Sequence, residues 1–303
     1  MSASEAAAVP EDLPAPDRPL GPEGLGLRVG PAVHEPDGPG VWRALSAPHG
    51  LDGPVGVLQG GLATALAVDL ARDLDPHGAP LHALSARLEA PTLLDVPFAA
   101  RVTPGDVAGW YEVETWQQGR RLVTATVELT GTDPLGALAD LVALAEGPPP
   151  EPESASVYPS CFGCGLASSH ELALRTPPAF VAPDRLSVPW IPDERLSDPA
   201  GSGRVATLVA AAALDCPAAW STVPHALSEG YRAVVLGSMR MQVAHDVEVL
   251  DPVRVTAILD SVEGRKLRAR SAVIDSDGRP LMVLDALNIA VEALPSVVRS
   301  AAR

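Results

Sequence analysis

Basic charge is in short supply in this sequence. Its 303 residues carry 22 lysines and arginines against 38 aspartates and glutamates, a net charge of −16. Nucleic acids and anionic membranes need a basic footprint, so neither is expected as a partner. Lys266 is the one lysine, which beside the heavy use of alanine, glycine and proline reads as coding bias. Cysteine is scarce too. Cys161, Cys164 and Cys216 cannot form a disulfide framework, so a reducing compartment, the cytoplasm, is expected. The first residues hold acids and prolines where a signal peptide needs a basic start and an apolar core. The longest apolar run, Val205–Leu214, is too short to span a bilayer. Also missing are a Gly-x-Ser-x-Gly elbow, a P-loop and an Asp/His hydratase motif, and "GLGLRVG" at Gly24–Gly30 lacks dinucleotide-binding spacing. The seven histidines show no metal-ligand spacing.

What is present is apolar and repeated. Apolar residues make up 47% and charged residues 20%, a globular composition. Residues 1–26 are Pro-rich and aperiodic and read as a mobile tail. "EGPPPEPESAS", residues 146–156, reads as a stiff linker between domains at 27–145 and 157–295, with a C-terminal tail at 296–303. The two halves resemble each other. "WQQGRRLVTATVEL" parallels "SVEGRKLRARSAVI", and Ser85, Arg87 and Pro97 match Ser238, Arg240 and Pro252. Each half has a glycine-led apolar helix, Gly60–Leu74 and Gly203 to about Trp220, followed by turn-linked strands. The first helix is apolar on nearly every side, so it is expected to be buried all round. A buried helix wrapped by a curved antiparallel sheet, twice over, predicts an α+β tandem (double) hot-dog.

Four stretches carry a family resemblance: "QGGLATALAVDLA", "YPSCFGCGLASSHELALR", "AALDCPAAW" and "LGSMRMQV" with the strands that follow it. Over roughly residues 40–293 the chain resembles hot-dog acyl-CoA thioesterases of the phenylacetate-pathway type, in a two-domain, actinobacterial-type arrangement. The resemblance implies acyl thioester hydrolysis without a cofactor, on acyl-CoA or an acyl-carrier thioester. It also implies that the halves form an intramolecular pseudo-dimer. The family's histidine is replaced here by Gln59. A non-catalytic acyl-thioester binding protein and a hot-dog dehydratase are the alternatives.

The candidate site residues follow. Gly60 and Gly61 open a helix whose free amides sit at the positive end of its dipole, suited to a developing oxyanion; the plainer role is a tight turn. Gln59 would assist. The resemblance implies a carboxylate about two and a half turns further on. Asp69 is one residue beyond that place and so rotated by about 100°. Asp215 is its second-half counterpart, either a desolvated base or nucleophile or an N-cap before Pro217. In paired hot-dog thioesterases the amides and the carboxylate come from different subunits. The expected site is therefore composite: Gln59, Gly60 and Gly61 with Asp215, leaving Asp69 structural or paired with Arg72. Arg120, Arg121, Arg265 and Lys266, at two hairpin turns, are candidates for the CoA phosphates. Cys161 and Cys164 lack a second Cys-x-x-Cys, so they read as a structural turn with no metal, and Cys216 as a small buried residue.

Overall fold

In the computed structural model, residues 9–131, 135–136, 138–154 and 157–294 are described. The N-terminal stretch forms two short strands, β1 (Arg18–Pro19) and β2 (Arg28–Val29), then β3 (Val33–His34). The first half continues with β4 (Val41–Ser46), α1 (Gly60–Arg72), β5 (Ala83–Leu88), β6 (Phe98–Pro104), β7 (Trp110–Gln117) and β8 (Arg120–Glu128). After α2 (Ala139–Ala143) and β9 (Phe180–Ala182) come β10 (Arg185–Trp190) and α3 (Thr207–Ser228). β11 (Ala233–Val243), β12 (Val253–Glu263), β13 (Lys266–Ile274) and β14 (Pro280–Val291) follow.

Among the described residues the strands make one continuous sheet, ordered β1-β2-β4-β6-β7-β8-β5-β11-β14-β13-β12-β10-β9, with β3 on β4. All its pairings are antiparallel. Outward from the seam between β5 and β11, the halves run β5-β8-β7-β6-β4 and β11-β14-β13-β12-β10, which is the same order. At the seam Ser85 opposes Arg240, Ala86 opposes Met239 and Arg87 opposes Ser238. The residues that match in the two repeats therefore exchange partners, as a two-fold axis between Ala86 and Met239 requires.

α1 and α3 lie together inside the sheet and are buried along almost their whole length. Gly61 permits their contact. A Cβ there would stand 2.5 Å from the Ala211 carbonyl oxygen, so only glycine lets the helices approach this closely. One apolar cluster takes in both helices and strands of both halves, so the core is shared. No helix among the described residues is long and apolar enough to cross a membrane.

Several expectations need correction. Residues 18–25 are not a free tail: Leu20 and Leu25 are buried in the shared core, and β1 pairs with β2. Two isolated leucines among prolines give no periodicity, so this docking had no signature. Residues 1–8 and 296–303 lie outside the described residues. The division at 145 is also too sharp. Leu138 and Leu141 of α2 and the segment before it pack on Ile258, Ala272 and Ile274 of the second half. Conversely, the Phe162 amide donates to the Asp52 carbonyl of the first half (2.6 Å). Finally, α3 starts at Thr207 and runs through Pro217 and Pro224. Asp215 is mid-helix, so its reading as an N-cap fails; burial against the sheet holds the helix together across the prolines.

Candidate active site

Where α1 begins, a largely apolar cavity of ≈ 230 Å³ opens between the halves. Leu58, Leu88, Trp220, Val234 and Leu236 form apolar walls. Gln59, Gly60, Asp215 and all three cysteines line it as well. No lysine, arginine or histidine is among the described lining residues.

Gln59 is the N-cap of α1. Its Oε1 accepts the Leu62 amide (2.8 Å), meeting one of the amides a helix start leaves unpaired. The other end of the same side chain reaches across to α3, where Nε2 donates to Asp215 Oδ2 (2.6 Å). The Gly61 amide donates to that same oxygen (3.0 Å). Two donors thus fix one carboxylate oxygen and orient the group, and one of them, Gln59, is itself held by the Leu62 amide. Asp215 Oδ1, fully buried, has no hydrogen-bond partner among the described residues. Burial pushes the Asp215 carboxyl up to about 7, against the Gly61 and Gln59 donors that favour its charged form.

The oxyanion expectation changes in detail. Gly61 spends its amide on Asp215 and Leu62 spends its own on Gln59, so the Gly60 amide remains at the cavity wall. Glycine at 60 is also a spatial requirement, since a Cβ would lie 2.9 Å from Asp215 Oδ2 and 3.1 Å from Leu236 Cβ. Gln59 holds the carboxylate in place instead of facing substrate with its oxygen. Asp69 is not part of this group. It lies about 12 Å further along α1, beside the start of α3. There its Oδ1 is 3.9 Å from Arg72 and its Oδ2 is buried without a hydrogen-bond partner among the described residues. Burial pushes it up to about 7, with Arg72 acting the other way.

No protein-family model matches the chain, and no curated protein matches it by sequence. Its likeness is to solved structures. A hot-dog-fold protein of unknown function from Alicyclobacillus acidocaldarius is 13% identical, over 88% of this chain and 97% of that one, with a TM-score of 0.59. The acyl-CoA thioesterase II TesB2 from Mycobacterium marinum is 13% identical, over 84% and 92%, with a TM-score of 0.53. A dehydratase domain of a mycocerosic acid synthase-like polyketide synthase is 14% identical, over 87% and 96%, with a TM-score of 0.57. The chain has a hot-dog fold.

In this hot-dog fold the two basic hairpins stand at the same end of the sheet as the cavity. Arg121 is already engaged, with Nε 3.0 Å from Glu89 and Nη1 3.1 Å from Glu114, its guanidinium over the Trp116 ring. It is therefore not a free phosphate ligand, and it fixes Glu89 at the cavity rim. Arg120, Arg265 and Lys266 are exposed. Lys266 opposes Ile289, which opposes the cavity-lining Val235, so it stands two strands, about 10 Å, from the rim.

The reading of Cys161 and Cys164 as an isolated pair missed a third sulfur. Cys216, next to Asp215 on α3, brings its Sγ to 3.7 Å from Cys161 Sγ, and all three sulfurs lie within 4.8 Å of one another. A spacing of 52 residues between Cys164 and Cys216 carries no motif; only the docking of the 161–165 loop on α3 reveals the cluster.

Proposed function

We propose that the protein is a tandem double hot-dog that hydrolyses acyl thioesters, with acyl-CoA as the substrate class, at one composite site between its halves. The observation that carries this is the arrangement of Asp215: one oxygen held by Gly61 and Gln59 of the other half, the second buried, unpartnered and beside an apolar cavity. The apolar walls suit an acyl chain, and the Gly60 amide at the positive end of α1 suits the carbonyl oxygen. In hydrolysis, Oδ1 takes a proton from water as its oxygen attacks the carbonyl carbon. The tetrahedral centre then collapses, the C–S bond breaks, and the proton goes to the departing thiolate. Direct attack by Oδ1 would instead form an anhydride that water cleaves. Both routes use the same oxygen, and a single turnover in ¹⁸O-water separates them, because only the anhydride route can leave label in Asp215. The matching strand orders and the exchanged partners at the seam support the tandem reading. The exposed Arg120, Arg265 and Lys266 would meet the CoA phosphates.

The dehydratase-like neighbour supports a second reading. Dehydration needs a proton acceptor and a donor to the departing hydroxyl. Glu89, the other carboxylate at the cavity, is tied to Arg121, which leaves Asp215 alone and favours hydrolysis. The deciding experiment offers the purified chain acyl-CoAs of increasing chain length and measures free thiol. Thiol release with turnover is expected. Tight binding without thiol means a binding protein, and gain or loss of a double bond means a dehydratase.

A further inference from the structure

The three cysteines are arranged as ligands for a metal ion. Cys161 and Cys164 stand on one tight loop, and Cys216 comes from the neighbouring turn of α3. Zinc–sulfur bonds of about 2.3 Å in a tetrahedron put sulfurs about 3.8 Å apart. The Cys161–Cys216 separation is 3.7 Å. The loop is built around the third sulfur. A Cβ on Gly163 would collide with Cys216 Sγ, and a Cβ on Gly165 would stand 2.5 Å from the Pro159 carbonyl oxygen. Glycine at both positions lets the loop close over the sulfur and turn sharply behind Cys161.

A second, independent observation is that two of the three sulfurs face an N–H group. The Trp220 indole donates to Cys164 Sγ (3.2 Å), and Gln59 Nε2 lies 3.7 Å from Cys216 Sγ. Neutral thiols packed as small apolar residues have no need of such donors, whereas thiolates bound to a metal are oriented and stabilised by them. No lysine or arginine among the described cavity-lining residues offsets thiolate charge here, so a bound cation is the natural counter-charge.

We propose that Cys161, Cys164 and Cys216 bind a thiophilic divalent ion, zinc in a cell, as three thiolates, with the fourth position of the tetrahedron facing the cavity. Binding displaces the thiol protons to solvent and involves no change of oxidation state. The ion would pin the 161–165 loop to α3 directly beside Asp215. The proposal stands on the cluster and does not depend on thioester hydrolysis.

The test uses the full chain, purified with reductant and without chelator. Elemental analysis is expected to find about one zinc per chain. Replacing zinc with cobalt is expected to give sulfur-to-cobalt charge-transfer absorption and the visible bands of a four-coordinate ion. Cys216→Ser is expected to hold a tenth of the zinc or less after dialysis. Should that variant not fold, the cobalt spectrum of the unmodified chain and its loss on thiol alkylation decide the matter. Reduced protein that takes up neither zinc nor cobalt overturns the proposal. So does a Cys161–Cys216 disulfide in protein whose reduced form stays metal-free.

Discussion

The starts of α1 and α3 occupy corresponding places in the two halves of the sheet, and they differ. At the start of α1, Gln59 caps the helix, two glycines give a close approach, and Asp215 of the other helix accepts both the Gly61 amide and Gln59. At the start of α3 the N-cap is Ala206, which offers no side-chain cap, and the facing carboxylate is Asp69. Thr207 takes a hydrogen bond from Arg72 (3.0 Å), and Leu20–Gly21 of the N-terminal segment lies over the site. A Cβ on Gly21 would reach Leu208 at 2.5 Å and Asp69 Oδ2 at 3.6 Å. The first end borders a largely apolar cavity. The second borders a cavity whose lining includes Arg18, Asp69, Arg72, Asp73, Asp198 and Arg204. Similar topology thus yields one end lined mainly by apolar side chains and another lined by charged ones. One residue of helical phase contributes to the difference: Asp69 is nine positions after Gly60, Asp215 eight after Thr207.

The largest expected effect separates the two carboxylates. Asp215→Asn should lower kcat/KM by about three orders of magnitude, on the order of 4 kcal/mol in the barrier, while Asp69→Asn stays near wild type. Steady-state kinetics on folded variants measure this, and the reverse pattern would break the comparison.

The second effect is on stability and belongs to Asp69. Burial raises its folded pKa to about 7, above its unfolded value, so folding opposes the charged form. Its contribution is whole below about pH 4 and is lost as pH rises through about 7, at most about 4 kcal/mol. Asp69→Asn should therefore flatten this part of the pH profile and raise denaturant midpoints at pH 8. An unchanged profile would mean that Arg72 already satisfies the charge.

The smallest effect concerns the hairpins. Arg120→Glu with Lys266→Glu should raise KM for acyl-CoA several-fold, about 1 kcal/mol, with little change in kcat. An acyl thioester lacking the nucleotide should be indifferent, and equal effects on both substrates would remove the turns from substrate binding.

Much of the architecture was legible in the residues. The all-round apolar run at 60–74 marked a buried helix, which the structure forms over Gly60–Arg72, while the pairing of Ser85 with Arg240 and of Arg87 with Ser238 at the seam had no signature in the matched stretches. The glycine pair and Asp215 were visible as candidates because glycines at a helix start and an acid in an alanine run are locally costly choices. Other features were hidden because their partners are distant in sequence. The engagement of Arg121 needs Glu89 across a strand, and the docking of Leu20 and Leu25 needs the finished core.

The sequence by itself determined most of the elements and the strongly negative net charge, since these rest on local periodicity and composition. Tertiary structure alone decided that Gly61 gives its amide to Asp215, that Arg121 is engaged by Glu89, and that three cysteines meet. The first and last of those outcomes depend on how α1 packs against α3 and how a loop closes over them. Side-chain chemistry sets what a residue can do, but the packing of elements far apart in the chain sets what it meets.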